Sequence, residues 1–295
     1  MTLRTVAIAG ATGNLGGKVT RAFLRPENGA RFRDVVALVR AESNATAGLA
    51  AAGAKLRVYD EDNLAESLQG VDVLISPREK LLRCLSSTSV SLYFPSEFGV
   101  NHYLHDFAHD EWDMKKRHFE LAKQLIPDIR LCRVYAGLLL EDSVGPWFGF
   151  DTKRGRYEAV GSPSQRTSYT SKSDVGRALA NLASLPAGEV PAEVYLSGDS
   201  KSFQEIADIM KAHGAGDVDV TSVPLAPYKA EVLTNPSPTP ERYLRFLMGE
   251  GKIDHSEQGL GSQTDVVLRG GPIEWTQVKD LAAETGGKPW ADSDW

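Results

Sequence analysis

An apolar run that breaks into a glycine turn constrains this chain more than any other feature. Arg4-Thr5-Val6-Ala7-Ile8-Ala9 leads into Gly10-Ala11-Thr12-Gly13-Asn14-Leu15-Gly16-Gly17, and Val19, Ala22, Phe23 and Leu24 then recur at helical spacing. Strand, glycine turn and helix in immediate succession form a dinucleotide-binding fingerprint when set in a βαβ unit. Each glycine has its own task. Gly10 permits the tight turn, Gly13 lets the backbone approach a pyrophosphate, and Gly16 lets the helix lie close on the strand. The helix start offers free N–H groups and the positive end of its dipole to phosphates. Cofactor contacts are therefore expected at Gly10, Thr12, Gly13, Asn14, Leu15 and Gly16.

The next strand, Val35-Val36-Ala37-Leu38-Val39, closes on Arg40. In a dinucleotide fold this position meets the adenosine ribose, where an acid favours NAD and an arginine pairs with the 2′-phosphate of NADP. Arg40 thus points to NADP(H). Lys55 to Asp60 reads as a third strand, and Asp60 at its end either borders the adenine or caps the following helix. Val71 to Ser76 is a fourth strand. Strands alternating with helices over this length imply a parallel sheet with right-handed crossovers. Strand five, Ser91 to Phe94, runs into Pro95-Ser96-Glu97-Phe98-Gly99, a polar turn at the carboxyl edge where open α/β sheets bind ligands.

A loop with His102, His105 and His109 follows, expected as a pocket wall rather than a metal site, since no carboxylate–histidine pair has helical ligand spacing. A helix from Trp112 to Leu125 carries Lys115 and Lys116, and Ile129 to Val134 is a sixth strand. Later segments read as a strand at Arg156–Gly161, a helix at Val175–Leu182 capped by Ser173-Asp174, a strand at Val194–Asp199, and helices at Phe203–Lys211 and Glu241–Met248. The fold expected is α/β, a Rossmann-type doubly wound parallel sheet. Residues 1–140 carry it, segments near 170–200 return to it, and residues 141–295 form a smaller substrate-covering region.

Composition removes other classes. A net charge of −6 leaves no basic footprint for nucleic acid, and no basic run marks a membrane surface. Apolar runs are strand-sized, and the chain enters its first strand with no room for a signal peptide. Two distant cysteines, Cys84 and Cys132, suggest reduced thiols. The expectation is a cytoplasmic monomer or homodimer acting on a small molecule.

Gly10 to Gly16, Leu38-Val39-Arg40, Val71 to Ser76 and Phe94-Pro95-Ser96-Glu97-Phe98-Gly99 come in the order of NmrA-like, isoflavone-reductase-like proteins, atypical short-chain dehydrogenases/reductases, which the chain resembles over about residues 4–200. Thr170-Ser171-Lys172-Ser173-Asp174-Val175-Gly176 looks like the family's T-x-x-x-D-I-G. The resemblance implies an NADPH-dependent reductase of small aromatic or secondary-metabolite molecules, with cofactor contacts extending to Asp60, Ser76, Pro95 and Ser96. It also implies a catalytic lysine on the helix after P-S-E-F-G. Lys116, 21 residues beyond Pro95 and followed at +3 by Phe119, matches that slot. It would also touch the cofactor, and Lys115 is its rival. An ammonium there can hold the nicotinamide ribose and stabilise or protonate the oxyanion formed as hydride arrives. Trp112 stands where the wider superfamily places a tyrosine. One departure is the segment between Ser76 and Pro95, only about 18 residues long, where the family has a longer cofactor-covering loop. This shortening leaves a non-catalytic, NADP(H)-sensing regulatory protein as the alternative.

Overall fold

The computed structural model describes residues 3–60, 62–77 and 79–294. In order, β1 (Arg4–Ala9), α1 (Asn14–Phe23), β2 (Phe32–Val39), α2 (Asn44–Ala51), β3 (Lys55–Val58), α3 (Leu64–Ser67), β4 (Val73–Ser76), α4 (Glu79–Cys84), β5 (Leu92–Pro95), α5 (Asp110–Leu125) and β6 (Arg130–Leu131) build one sheet and its helices. The strand order is β3-β2-β1-β4-β5-β6, and every pairing in it is parallel. This is the doubly wound Rossmann arrangement expected, with its reversal between β1 and β4. Val6, Ala7, Ile8, Val73, Leu74 and Ile75 are buried on both faces, which accounts for their near-continuous apolar runs.

The remaining elements are β7 (Arg133–Tyr135), β8 (Leu138–Leu139), α6 (Leu140–Ser143), β9 (Phe150–Asp151), β10 (Arg156–Val160), β11 (Thr167–Thr170), α7 (Lys172–Ser184), β12 (Glu193–Tyr195), β13 (Asp199–Lys201), α8 (Phe203–Ala212), β14 (Asp219–Val223), α9 (Leu225–Thr234), α10 (Glu241–Gly249), α11 (Thr264–Leu268) and α12 (Val278–Thr285). The expected sixth strand is two. Cys132 breaks it, its N–H still bonding the Tyr93 carbonyl at 3.0 Å, and β7 then takes β12 as a parallel partner. The strand expected at Val194–Asp199 also divides: β12 joins β7, while β13 lies antiparallel to β11.

Helix α7 returns to the sheet by packing on α1. Gly176 makes this approach possible, because a Cβ there would stand 2.7 Å from Ala22 Cβ and 3.0 Å from Val19 Cα. The cap of α7 is Ser171, whose hydroxyl accepts the Asp174 N–H at 3.1 Å, so the helix starts ahead of the expected Ser173-Asp174. Asp174 is fully buried, pairing with Arg177 and accepting the Thr276 N–H at 2.7 Å. Among the described residues no helix is long and apolar enough to cross a membrane.

Candidate functional site

Because the strands are parallel, their carboxyl ends share one edge, and the expected site residues collect there. Gly10 follows β1 with φ +77, and its carbonyl accepts the Gly13 N–H at 2.9 Å. A Cβ on Gly16 would lie 2.0 Å from that same oxygen, so α1 sits against the turn as closely as glycine allows. Thr12, Gly13 and Asn14 are exposed, and Leu15 packs partly into the core. No side chain caps α1, leaving its first N–H groups open to a ligand. Arg40 is exposed at the end of β2. Beside the reversal point, Ser76 and Pro95 face each other in register at the ends of β4 and β5, and Ser76 is buried.

Asp60 follows the carboxyl end of β3, which pairs in parallel with β2. One of its carboxylate oxygens accepts the N–H groups of Asp62 and Asn63 at 2.9 and 3.2 Å, a turn just ahead of α3, whose own start carries no side-chain cap.

The P-S-E-F-G segment folds into consecutive tight turns. Glu97 N–H bonds the Pro95 carbonyl at 2.8 Å, Gly99 N–H bonds the Glu97 carbonyl at 2.6 Å, and Gly137 N–H bonds the Gly99 carbonyl at 3.1 Å. These turns bury the Glu97 side chain. Its Oε2 makes no hydrogen bond and lies 4.0 Å from His102 Nε2. Burial raises the Glu97 pKa, while Lys115 and Arg133 pull the other way.

Two cavities open at this edge. The first, about 630 Å³, runs past Pro77, Glu79, Pro95, Ser96, Glu97 and His118. The second, about 330 Å³, is largely apolar, with Phe98, Trp112, Leu139, Trp147, Phe148 and Leu244 among its walls. Both are lined by Glu111 and Lys115. In α5 these two residues are i and i+4, and His118 lies three further on, so the three share a face. Lys116 is turned about 100° from Lys115 on the helix, and its ammonium sits 3.2 Å from Asp113 Oδ1. The structure therefore places Lys115, not the expected Lys116, on the cavities. Trp112 is buried with its ring stacked on His102 and His109, at centroid distances of 4.9 and 4.3 Å.

The histidine loop divides its roles. His102 lines the smaller cavity. His105 stacks on Phe107 at 5.3 Å, and His109 meets Tyr243 of α10 edge-on at 4.8 Å. None of the three rings makes a hydrogen bond, and burial pushes His102 down to about 2 and His105 to about 4. Both rings are thus neutral packing units at neutral pH.

Sequence reasoning gave no role to Lys172. Buried at the start of α7, its Nζ donates to Asp142 Oδ1 at 2.5 Å and to Asn14 Oδ1 at 3.0 Å. It was visible only as an unassigned position inside the Thr170–Gly176 motif.

The same fold recurs in solved structures. Isoflavone reductase superposes with a TM-score of 0.78 at 16% identity, covering 96% of this chain and 100% of that one. The leucoanthocyanidin reductase–NADPH complex from Vitis vinifera gives 0.75 at 14%, with 96% and 99% covered. An NADPH-dependent quinone oxidoreductase from Escherichia coli gives 0.66 at 20%, with 95% and 99% covered. Comparison with curated protein sequences finds no match. The model of the NmrA-like family matches residues 2–257, nearly the whole chain, and the chain belongs to that family.

Proposed function

We propose that this chain is an NADPH-dependent reductase acting on a C=O or activated C=C of a small, aromatic-type molecule, with Lys115 as the polar catalytic partner. The observation that carries the reading is the meeting of two cavities at Lys115, one along the carboxyl ends of β4 and β5, the other apolar. The residues present fit the cofactor. Gly10 and Gly16 let the turn close tightly on the start of α1, α1 starts without a side-chain cap, and Arg40 is exposed where a 2′-phosphate would sit. Two of the structural relatives carry NADPH in their descriptions.

When bound, NADPH would supply the hydride. The chain's own contribution is then polar. The Lys115 ammonium donates a hydrogen bond to the substrate oxygen that gains negative charge and passes it a proton. Trp147, Phe148 and Leu244 exclude water from the apolar side. Glu97 stands beside the cavity as a carboxyl whose proton is retained more strongly than in water, through burial.

Calorimetric titration with NADPH, NADP⁺ and NADH, followed by NADPH oxidation with a panel of aromatic carbonyls and quinones, tests this. Lys115→Met is expected to lose turnover about a hundredfold or more while retaining NADPH binding, with Lys116→Met near wild type. The reverse order would remove Lys115 from its role, and absence of NADPH binding would remove the reading. The non-catalytic, NADP(H)-sensing alternative draws on one observation. α4 begins at Glu79, soon after β4 ends at Ser76, so a carboxylate lines the cavity proposed for the cofactor. Tight NADPH binding with no turnover on any acceptor would favour it.

A further inference from the structure

Lys172 joins two places that the fold otherwise keeps separate. Its partner Asn14 is the first residue of α1, next to the glycine turn, and its partner Asp142 lines the apolar cavity. The lysine is 6% exposed. Its backbone is held as firmly as its head. The Lys172 N–H is shared between both oxygens of Glu141, each at 3.1 Å, and the tight α1–α7 contact at Gly176 fixes α7 against α1.

The chemistry of the contact decides how Asn14 is oriented. An ammonium only donates, so the Asn14 carboxamide must offer its oxygen to Lys172. Its two Nδ2–H donors are then turned away from Lys172. Asn14 is exposed, so those donors face the open side of the turn. An asparagine free to flip would offer oxygen there half the time, repelling an anion. Asp142 supplies the negative charge that lets a buried ammonium remain in place.

We propose that Lys172 is a positioning residue, which locks the Asn14 carboxamide with its N–H donors toward the cofactor phosphates and ties that turn to Asp142 in the wall of the apolar cavity. This rests on the cofactor reading above. Lys172 itself touches neither cofactor nor substrate. It acts through Asn14 on one side and by neutralising Asp142 on the other.

A double-mutant cycle of Asn14→Ala and Lys172→Met, titrated with NADPH and with adenosine 2′-monophosphate, tests it. The smaller probe reports on the Arg40 end and has no pyrophosphate. Each single variant is expected to weaken NADPH binding about tenfold, and the double variant no more than either single. Affinity for adenosine 2′-monophosphate stays at the wild-type value, which a general loosening of the fold would not permit. Unchanged NADPH affinity in Lys172→Met, or losses that multiply in the double variant, would overturn the proposal while leaving the cofactor reading intact. Absence of NADPH binding by the wild type would overturn both. Should Lys172→Met fail to fold, Asn14→Ala at its exposed position decides: wild-type NADPH affinity in that variant refutes the role.

Discussion

Gly13 and Gly16 lie three residues apart in one turn, yet alanine at each should fail in a different way. A Cβ on Gly16 would sit 2.0 Å from the Gly10 oxygen and 2.9 Å from its carbon. Ordinary contact begins near 3.4 Å, so turn and helix must part by about 1.4 Å. The oxygen cannot retreat freely, because it accepts the Gly13 N–H at 2.9 Å and belongs to a residue held at φ +77. Overpacking of this kind costs about 1–3 kcal/mol, and loss of the turn hydrogen bond about 1 kcal/mol. Alanine returns about 1 kcal/mol of helix propensity. The net loss is about 1–3 kcal/mol, or on the order of 2–6 °C in Tm for a chain of this size. At Gly13 the same oxygen is 3.2 Å away, and the backbone, at φ −73 and ψ 171, suits any residue. Gly13→Ala should therefore stay within about 1 kcal/mol of wild type. Its methyl group, however, occupies the space through which a pyrophosphate approaches, so NADPH affinity should fall at least tenfold. Calorimetric unfolding and NADPH titration of both variants separate the effects. Equal stability of Gly16→Ala and wild type, or a greater loss of stability in Gly13→Ala, would refute the division of labour.

Other tests address charge. Arg40→Ala should reduce the preference for NADPH over NADH without altering Tm, because the side chain is exposed; an unchanged ratio in paired titrations removes Arg40 from the 2′-phosphate. His102, His105 and His255 are held by burial at about 2, 4 and 4, below the ordinary histidine value of 6.5. Between about pH 4 and 6.5 the unfolded chain binds their protons and the native chain does not, so stability is complete above 6.5 and falls as pH drops, by up to about 1.4 kcal/mol per pH unit for each histidine. Glu97, raised by burial, works in the opposite sense and offsets part of this. Denaturant midpoints that stay flat from pH 6.5 to 5 would contradict the burial of these rings. Glu97→Gln should stabilise the chain, with a gain that grows as pH rises above about 4.5 and then levels off, since the folded state disfavours the ionised carboxyl; a gain that shrinks with pH would mean the carboxylate is well paired.

How far the sequence carried depended on whether a feature was local. The parallel sheet followed from apolar runs ending in turn residues and alternating with helices, and Gly10 to Gly16, Arg40 and Pro95-Ser96 all lie on one edge because parallel strands put them there. The break at Cys132 left no mark, since a strand that changes partners keeps its apolar pattern. β14 and α9 were missed for another reason: Asp219–Val223 is a mostly exposed edge strand with no alternation to reveal it. Choosing between Lys115 and Lys116 needed a rotation of about 100° about a helix axis, and the run Lys115-Lys116-Arg117 contains nothing that sets it. Lys172 was hidden most deeply. Its partners lie 158 and 30 residues away; the packing of α7 on α1 brings Asn14 to it, and the pairing of β8 with β11 brings Asp142.

The shortened segment after β4 changes meaning once the cavities are seen. Read along the chain, a missing glycine-containing loop suggests an open cofactor cleft. In the fold, that side of the cleft is occupied by residues from two helices: Pro77 and Glu79 at the entrance to α4, and Met114, Lys115 and His118 along α5. Arg78 lies outside the described residues. His118 is fixed there by Tyr93, whose hydroxyl donates to the Ser76 carbonyl at 2.9 Å and meets His118 Nε2 at 2.6 Å. The Tyr93 proton is already committed to Ser76, so the His118 Nε2 must be the donor in the second contact, and its Nδ1 then remains an acceptor. The wall that replaces the loop is thus side-chain chemistry on packed helices instead of backbone N–H groups on a flexible turn. Backbone N–H groups hold phosphates; an imidazole acceptor beside an ammonium suits a carboxamide or a hydroxyl. On the proposed cofactor reading, that difference puts the departure from the family at the nicotinamide and substrate end, and leaves the phosphate end to Gly10–Gly16 and Arg40, where the sequence resembles the family pattern.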